Sequence, residues 1–170
     1  MSTIFQLLFV PIFLVAANAL GAKKVSVECK ISPGSATFVA ETEVVSGSAV
    51  LTKNSEIMVN EVSVDLKSLS TSMSLRDDHM KNKYLEVDRF PKATLILGKG
   101  KDGVGEGKIK IRDIEKVING TYKILSDTEL EAIFNLNLAD FDIKGIRHLG
   151  IGVKDLVKVT VVVPYKKENP

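Results

Sequence analysis

The sequence predicts an all-β domain, either a barrel or a sandwich, on two observations. Apolar and polar side chains alternate in five segments, and this period turns one face of each segment toward an apolar interior, as in antiparallel sheets. Clusters of turn-forming residues separate the segments, and few stretches have helical periodicity. The alternating segments are residues 25–31, 61–66, 108–112, 130–138 and 157–163.

The first 22 residues are typical of a secretory signal peptide. Residues 4–22 form an almost wholly apolar run that ends in small residues, and cleavage is expected after Ala22 or Ala19. The alternative is a short membrane anchor, which the interrupting Pro11 and the marginal length disfavour. The sequence therefore predicts one mature domain, residues 23–170, that is periplasmic or secreted and not stably inserted in a membrane.

Charge and cysteine content exclude some classes of partner. The 23 basic and 21 acidic side chains give a formal charge of +2, which offers no reason to invoke nucleic acid. The single cysteine, Cys29, cannot form an internal disulfide. It falls in register with Val27 and Ile31 on one face of the first strand, which favours a buried apolar thiol over a reactive one.

Residues 76–85 are the one convincing helical segment. Asp77 or Asp78 suits its N-terminal end, where free backbone N–H groups favour an acid. Met80 and Tyr84 are four residues apart and so share a face.

A glycine-rich segment follows, with five glycines between residues 98 and 107. It is interpreted as a flexible hairpin loop between strands at residues 94–97 and 108–112. A phosphate-binding loop is the alternative, but no Lys-Ser or Lys-Thr follows and no helix begins there.

The segment at residues 68–95 carries the most specific pattern. It contains Ser-Leu-Ser-Thr at residues 68–71, Arg-Asp-Asp-His-Met at residues 76–80 and Phe-Pro-Lys-Ala-Thr at residues 90–94. These elements, in this order, resemble the signature of the YceI-like family. Residues 137–143 and 152–161 are similar to later segments of the same family.

The resemblance implies an antiparallel eight-stranded barrel of lipocalin-like shape, exported by a bacterium, with a short helix at residues 76–85. It also implies a carrier of a long apolar ligand, such as a polyisoprenoid, a quinone-like molecule or a fatty-acyl lipid. No enzyme activity and no cofactor other than such a bound lipid or isoprenoid are expected, and the protein would be a monomer or a homodimer. The residues alone leave open whether the barrel holds a ligand or is filled by its own side chains.

Candidate binding residues follow from strand alternation and from proximity to the signature. Inward-facing candidates are Val62, Val64, Leu66, Phe134, Leu136 and Leu138, and candidates for the mouth are Met73, Leu75, Met80, Tyr84 and Phe90. An anionic head group at the rim would be expected to meet Arg76, Lys81, Lys83 or Arg89.

The Arg-Asp-Asp-His motif has a structural interpretation and a chemical one. Metal binding or catalysis would need further groups, yet His148 is the only other histidine and no Gly-x-Ser-x-Gly elbow occurs. The favoured interpretation is that Arg76 and Asp77 pair or cap the helix, while His79 satisfies a backbone group. Two other functions stay open: a scavenger of lipophilic toxins or antibiotics, and a filled-barrel envelope protein that acts through its surface.

Overall fold

The structure is a computed structural model that describes residues 24–168. The predicted signal peptide and its cleavage site lie outside the described residues, as do the last two residues of the chain.

The described residues form twelve strands and one continuous helical segment. The strands are β1 (Val25–Ser32), β2 (Thr37–Thr42), β3 (Val45–Ser46), β4 (Ala49–Leu51), β5 (Ile57–Asp65), β6 (Lys92–Lys101), β7 (Val104–Ile111), β8 (Ile114–Ile124), β9 (Glu129–Asn137), β10 (Arg147–His148), β11 (Ile151–Val153) and β12 (Leu156–Lys167). The helical segment is α1 (Ser74–Asp78), which continues as a π-helical stretch (His79–Leu85). Short 3₁₀ turns occupy Leu66–Ser68 and Leu138–Phe141. Each of the five alternating sequence segments contributes to a strand.

Seven strands close a barrel in the order β12-β4-β5-β6-β7-β8-β9, and β9 pairs again with β12. The predicted all-β barrel is confirmed, with two differences in detail. The closed ring has seven strands, and its pairing is mixed because β12 and β4 run parallel. The reason is topological: β1 pairs antiparallel to β12 and β2 antiparallel to β1, so the chain that continues past β2 into β4 runs in the direction of β12.

The helical segment lies in the long connection from β5 to β6 and begins two residues before the predicted start. We call residues 74–85 the mouth helix. Both ends of the connection are fixed, because the Leu66 amide donates to the Pro91 carbonyl at 2.8 Å. Reciprocal backbone hydrogen bonds between Glu41 and Ser70 join it to β2. The helix is thereby held at the end of the barrel where β5 ends and β6 begins.

The glycine-rich segment is mostly strand, so the prediction of a flexible loop was wrong. β6 and β7 extend through it to a tight turn at Asp102 and Gly103, which both have positive φ. Gly98 faces Gly107 and Gly100 faces Gly105 across the pair. A Cβ at Gly100 would lie 2.6 Å from the ring of Tyr122, so close packing requires the missing side chain.

The main hydrophobic core occupies the barrel interior and its closed end. Phe141 and Val157 are its most deeply buried large side chains. At the closed end the Tyr165 hydroxyl donates to the carbonyl of Ser126 at 3.2 Å. A smaller cluster beneath the mouth helix consists of Ala40, Leu66, Leu69 and Val87. Within residues 24–168, no helix is long and apolar enough to cross a membrane.

Candidate binding site

The barrel contains a cavity of about 490 Å³. Its mouth lies between the mouth helix and the β10–β11 hairpin, since both contribute lining residues. Several inward-facing apolar side chains, including Val64, Ala132 and Phe134, are only partly buried although they line the interior. They pack against the core on their flanks and are partly exposed to the cavity, so the side chains of the barrel do not fill its interior.

Ten of the eleven apolar candidates from the sequence line this cavity. They are Val62, Val64, Leu66, Met73, Leu75, Met80, Tyr84, Phe134, Leu136 and Leu138. The exception is Phe90, which is not part of the lining. The alternation of β5 and β9 located the wall correctly, while ligand binding by these residues remains a prediction.

Phe90 lies instead in a charged cluster between the end of the helical connection and the β7–β8 turn. The Arg89 and Arg112 guanidinium carbons stand 4.9 and 5.6 Å from the centre of its ring. Glu86 accepts from both arginines, at 2.7 Å from Arg89 and 2.5 Å from Arg112. Arg112 also donates to the carbonyl of Asp142 at 2.8 Å. This cluster fastens the connection to the barrel wall, which places Arg89 outside the cavity.

Of the four basic rim candidates, the structure places one at the cavity. Arg76 is part of the lining, whereas Lys81, Lys83 and Arg89 are not. The Lys83 ammonium lies 5.2 Å from the ring centre of Tyr84. Helical geometry accounts for the difference, because residues 76, 79, 80 and 84 share the face that meets the barrel and residues 81 and 83 do not.

Several lining residues were not anticipated as site residues. The inward face of β1 contributes Val25, Val27, Cys29 and Ile31, and the mouth includes His79, Arg147 and His148. The alternation of β1 was a sufficient signal for its wall residues. No sequence pattern indicated Arg147 and His148, because they lie in a two-residue strand.

The Asp77 carboxylate fixes the start of the mouth helix. It accepts hydrogen bonds from the Thr71 amide at 2.7 Å, from the Thr71 hydroxyl at 2.6 Å and from the Ser70 hydroxyl at 2.8 Å. Burial acts to raise its pKa, but these hydrogen bonds and the charge of Lys81 outweigh it, so the pKa lies below its usual value. Asp77 lies in the first turn, as expected of an acid at this end of the helix. Its carboxylate accepts from Ser70 and Thr71, which precede the helix, and it neither pairs with Arg76 nor caps a free helix amide as expected.

Cys29 is a buried free thiol on the cavity wall, as the register of β1 predicted. Burial raises its pKa to about 11, and the positive charge of Arg76 acts in the opposite direction. The thiol is therefore neutral at physiological pH and behaves as an apolar wall group.

The two histidines meet at the mouth. The ring centres of His79 and His148 are 5.2 Å apart, with the planes tilted by 57°. His79 thus packs against another ring, which differs from the expected hydrogen bond to a backbone group. Among the described residues, no group of three His, Cys, Asp or Glu side chains could hold a metal ion.

A second cavity of about 100 Å³ lies toward the closed end of the barrel. Five glycines of β6, β7 and β8 border it: Gly98, Gly100, Gly105, Gly107 and Gly120. It shares wall residues with the main cavity, among them Leu95, Ala132 and Phe134. The smaller cavity therefore adjoins the main one on the side of the glycine strands.

Fold and site together define a small β-barrel protein with a ligand-sized apolar chamber. Residues 18–165 match the YceI-like domain, and the chain therefore belongs to the YceI-like family. A search of curated proteins found no match.

Solved structures share this fold at low identity. BcnA of Burkholderia cenocepacia superposes with a TM-score of 0.64 at 12% identity, covering 84% of this chain and 97% of that one. A polyisoprenoid binding domain from Saccharophagus degradans gives 0.59 at 15% identity, with 84% and 92% covered. The Campylobacter jejuni YCEI protein gives 0.55 at 14% identity, with 76% and 85% covered.

Proposed function

We propose that this protein is an exported binding protein that holds a long apolar molecule inside its barrel. The ligand would be a polyisoprenoid, a quinone-like molecule or a fatty-acyl lipid, held for transport, storage or protection against stress. The observation that carries the proposal is the cavity of about 490 Å³, which falls within the usual range for small-molecule sites. The Saccharophagus relative, a polyisoprenoid binding domain, supports the same ligand class.

The wall chemistry supports a hydrocarbon ligand in particular. Below the mouth, the lining consists of aliphatic and aromatic side chains with the neutral thiol of Cys29. A charged or strongly polar ligand group buried there would find no partner and would cost several kcal/mol. Each methylene moved from water into the cavity would contribute about 0.8 kcal/mol to binding.

The first test is mass spectrometry of protein purified from its native compartment without detergent. We expect a discrete added mass under native conditions that disappears on denaturation. A bare protein mass, together with no uptake of hydrophobic dyes, would contradict the proposal and favour an envelope protein that acts through its surface. Displacement of several unrelated dyes with equal ease would favour a scavenger of lipophilic compounds.

A cavity-filling variant makes the test specific to the barrel interior. Val64→Phe combined with Ala132→Phe places two rings in the cavity, and ligand uptake should fall to the background level. The matched control is Asn135→Phe, on the exposed side of β9. Circular dichroism and urea unfolding establish that both variants fold, since overpacking costs roughly 1–3 kcal/mol. Uptake unchanged in a folded filled variant would place the ligand elsewhere.

A further inference from the structure

Charge at the cavity is restricted to one end and to one sign. Two arginines belong to the lining, Arg76 from the mouth helix and Arg147 from β10, and the histidines His79 and His148 lie on the same two elements. Within residues 24–168, no aspartate or glutamate lines the same cavity. The chain as a whole carries nearly equal numbers of acidic and basic groups, so this separation is not a consequence of composition.

The two elements that carry these groups are tied together. The Tyr84 hydroxyl donates to the Arg147 carbonyl at 3.3 Å and accepts from the Arg147 amide at 3.2 Å. The contact between the rings of His79 and His148 joins the same elements a turn earlier in the helix. Arg76 and Arg147 therefore come from two elements that are joined to each other at the opening.

Arg76 is partly buried, and within residues 24–168 no carboxylate lies within ion-pair distance of its guanidinium. Its guanidinium stacks on the ring of Phe38 at 4.1 Å, and among the described residues no ion pair joins it. The carboxylate of the adjacent Asp77 accepts hydrogen bonds from Ser70 and Thr71 instead. A stacked guanidinium keeps its N–H edges free for a planar or tetrahedral anion.

We infer that the mouth is an anion site, and that the natural ligand is an amphiphile whose carboxylate or phosphate head meets Arg76 and Arg147 while its tail fills the barrel. This inference rests on the proposed function, because burial of the apolar tail in the barrel drives binding and the mouth adds a preference for an anionic head group. The Arg76 guanidinium would donate two parallel N–H bonds to the head. Arg147 would contribute from the β10–β11 hairpin.

The test compares ligands that share one tail and differ only at the head. Delipidated protein is loaded with a neutral hydrophobic dye, and its displacement by hexadecanol, hexadecanoic acid and hexadecyl phosphate is measured at low salt below their aggregation thresholds. We expect at least one anion to bind about tenfold or more tightly than the alcohol, the effect of one or two charge-assisted hydrogen bonds. The stronger of the two anions identifies the head as carboxylate or phosphate.

Arg76→Gln assigns the preference to the mouth. It should reduce the preference for the anions over hexadecanol about tenfold or more, because the head then keeps only Arg147. Lys154→Gln is the matched control, because it removes one positive charge from an exposed lysine that does not line the cavity, and it should keep the preference.

The two proposals fail in different ways. Equal affinities for all three ligands in the wild-type protein, or a preference that Arg76→Gln leaves undiminished, would overturn the anion site and leave the apolar carrier standing. Binding of none of the three, together with no dye uptake, would overturn the proposed function itself.

Discussion

At the scale of single residues, the environment of Cys29 makes it a reporter of the cavity. It is the only cysteine in the chain, and its side chain belongs to the cavity wall. A thiol reagent therefore reacts at one site, and its rate depends on thiolate population and on access through the mouth.

We expect Cys29 to react slowly at neutral pH and faster as the pH rises toward about 11, because only the thiolate reacts and burial raises the pKa from 9.0 to that value. A pKa of about 11 in place of 9.0 lowers the thiolate population at neutral pH about a hundredfold. Arg76→Gln should slow the reaction at a given pH, because the positive charge of Arg76 lowers the Cys29 pKa. Rates are measured by absorbance with a chromogenic disulfide, with urea-unfolded protein as the reference. A native rate equal to the unfolded rate would contradict a buried thiol.

At the residue scale, alternation predicted which side chains face the barrel interior, while proximity in sequence misplaced others; ligand binding by any of them stays a prediction. The wall residues of β5 and β9 were found because a strand face is fixed by period two. Lys81, Lys83, Arg89 and Phe90 were assigned to the mouth from proximity in sequence, yet helical rotation and the Glu86 cluster direct them elsewhere. Arg147 and His148 lie at the mouth only because of the tertiary structure, so no local sequence pattern predicted their position.

At the scale of elements, the glycines of β6, β7 and β8 determine how closely the strands and side chains approach. Low strand propensity made residues 98–107 resemble a loop in the sequence, but the strands are held by long ladders on both sides. Gly105 faces Gly120 across the β7–β8 pair, so the glycines continue into a third strand. Tertiary packing thus overrides local propensity at this end of the barrel.

Gly120→Ala should destabilise the protein because the added Cβ would lie 2.5 Å from the carbonyl oxygen of Ile133 and 3.0 Å from the Cβ of Phe134. These neighbours belong to β9, so the β8–β9 pairing itself must shift. We expect a loss of roughly 1–3 kcal/mol in the free energy of unfolding, measured with urea. Gly98→Ala is the comparison, since its nearest neighbours are side-chain atoms at 3.3 Å, and its loss should be smaller. A Gly120→Ala variant as stable as the wild type would show that the strands can separate freely.

At the scale of the whole molecule, the sequence predicted a barrel but not whether the barrel contains a cavity. The alternating segments left a barrel or a sandwich open, because strand faces and turns are local properties, and the family resemblance of residues 68–95 implied the barrel. Whether the interior is hollow depends on the summed volume of side chains from every strand, which alternation does not measure. In the folded protein, Val64, Ala132 and Phe134 are partly exposed to the cavity because the side chains do not fill the interior.

A hollow barrel links ligand occupancy to global stability, because a ligand that binds only the folded state shifts the unfolding equilibrium. At a free ligand concentration of about 100 times Kd, the stabilisation is about 2.7 kcal/mol. For a domain of this size that corresponds to a rise in Tm of roughly 5–10 °C. We expect delipidation to lower the Tm by this order and hexadecanoic acid to restore it, as measured by calorimetry. The filled Val64→Phe, Ala132→Phe variant should show neither change, and a shift of equal size in that variant would mean that the stabilising ligand binds outside the barrel.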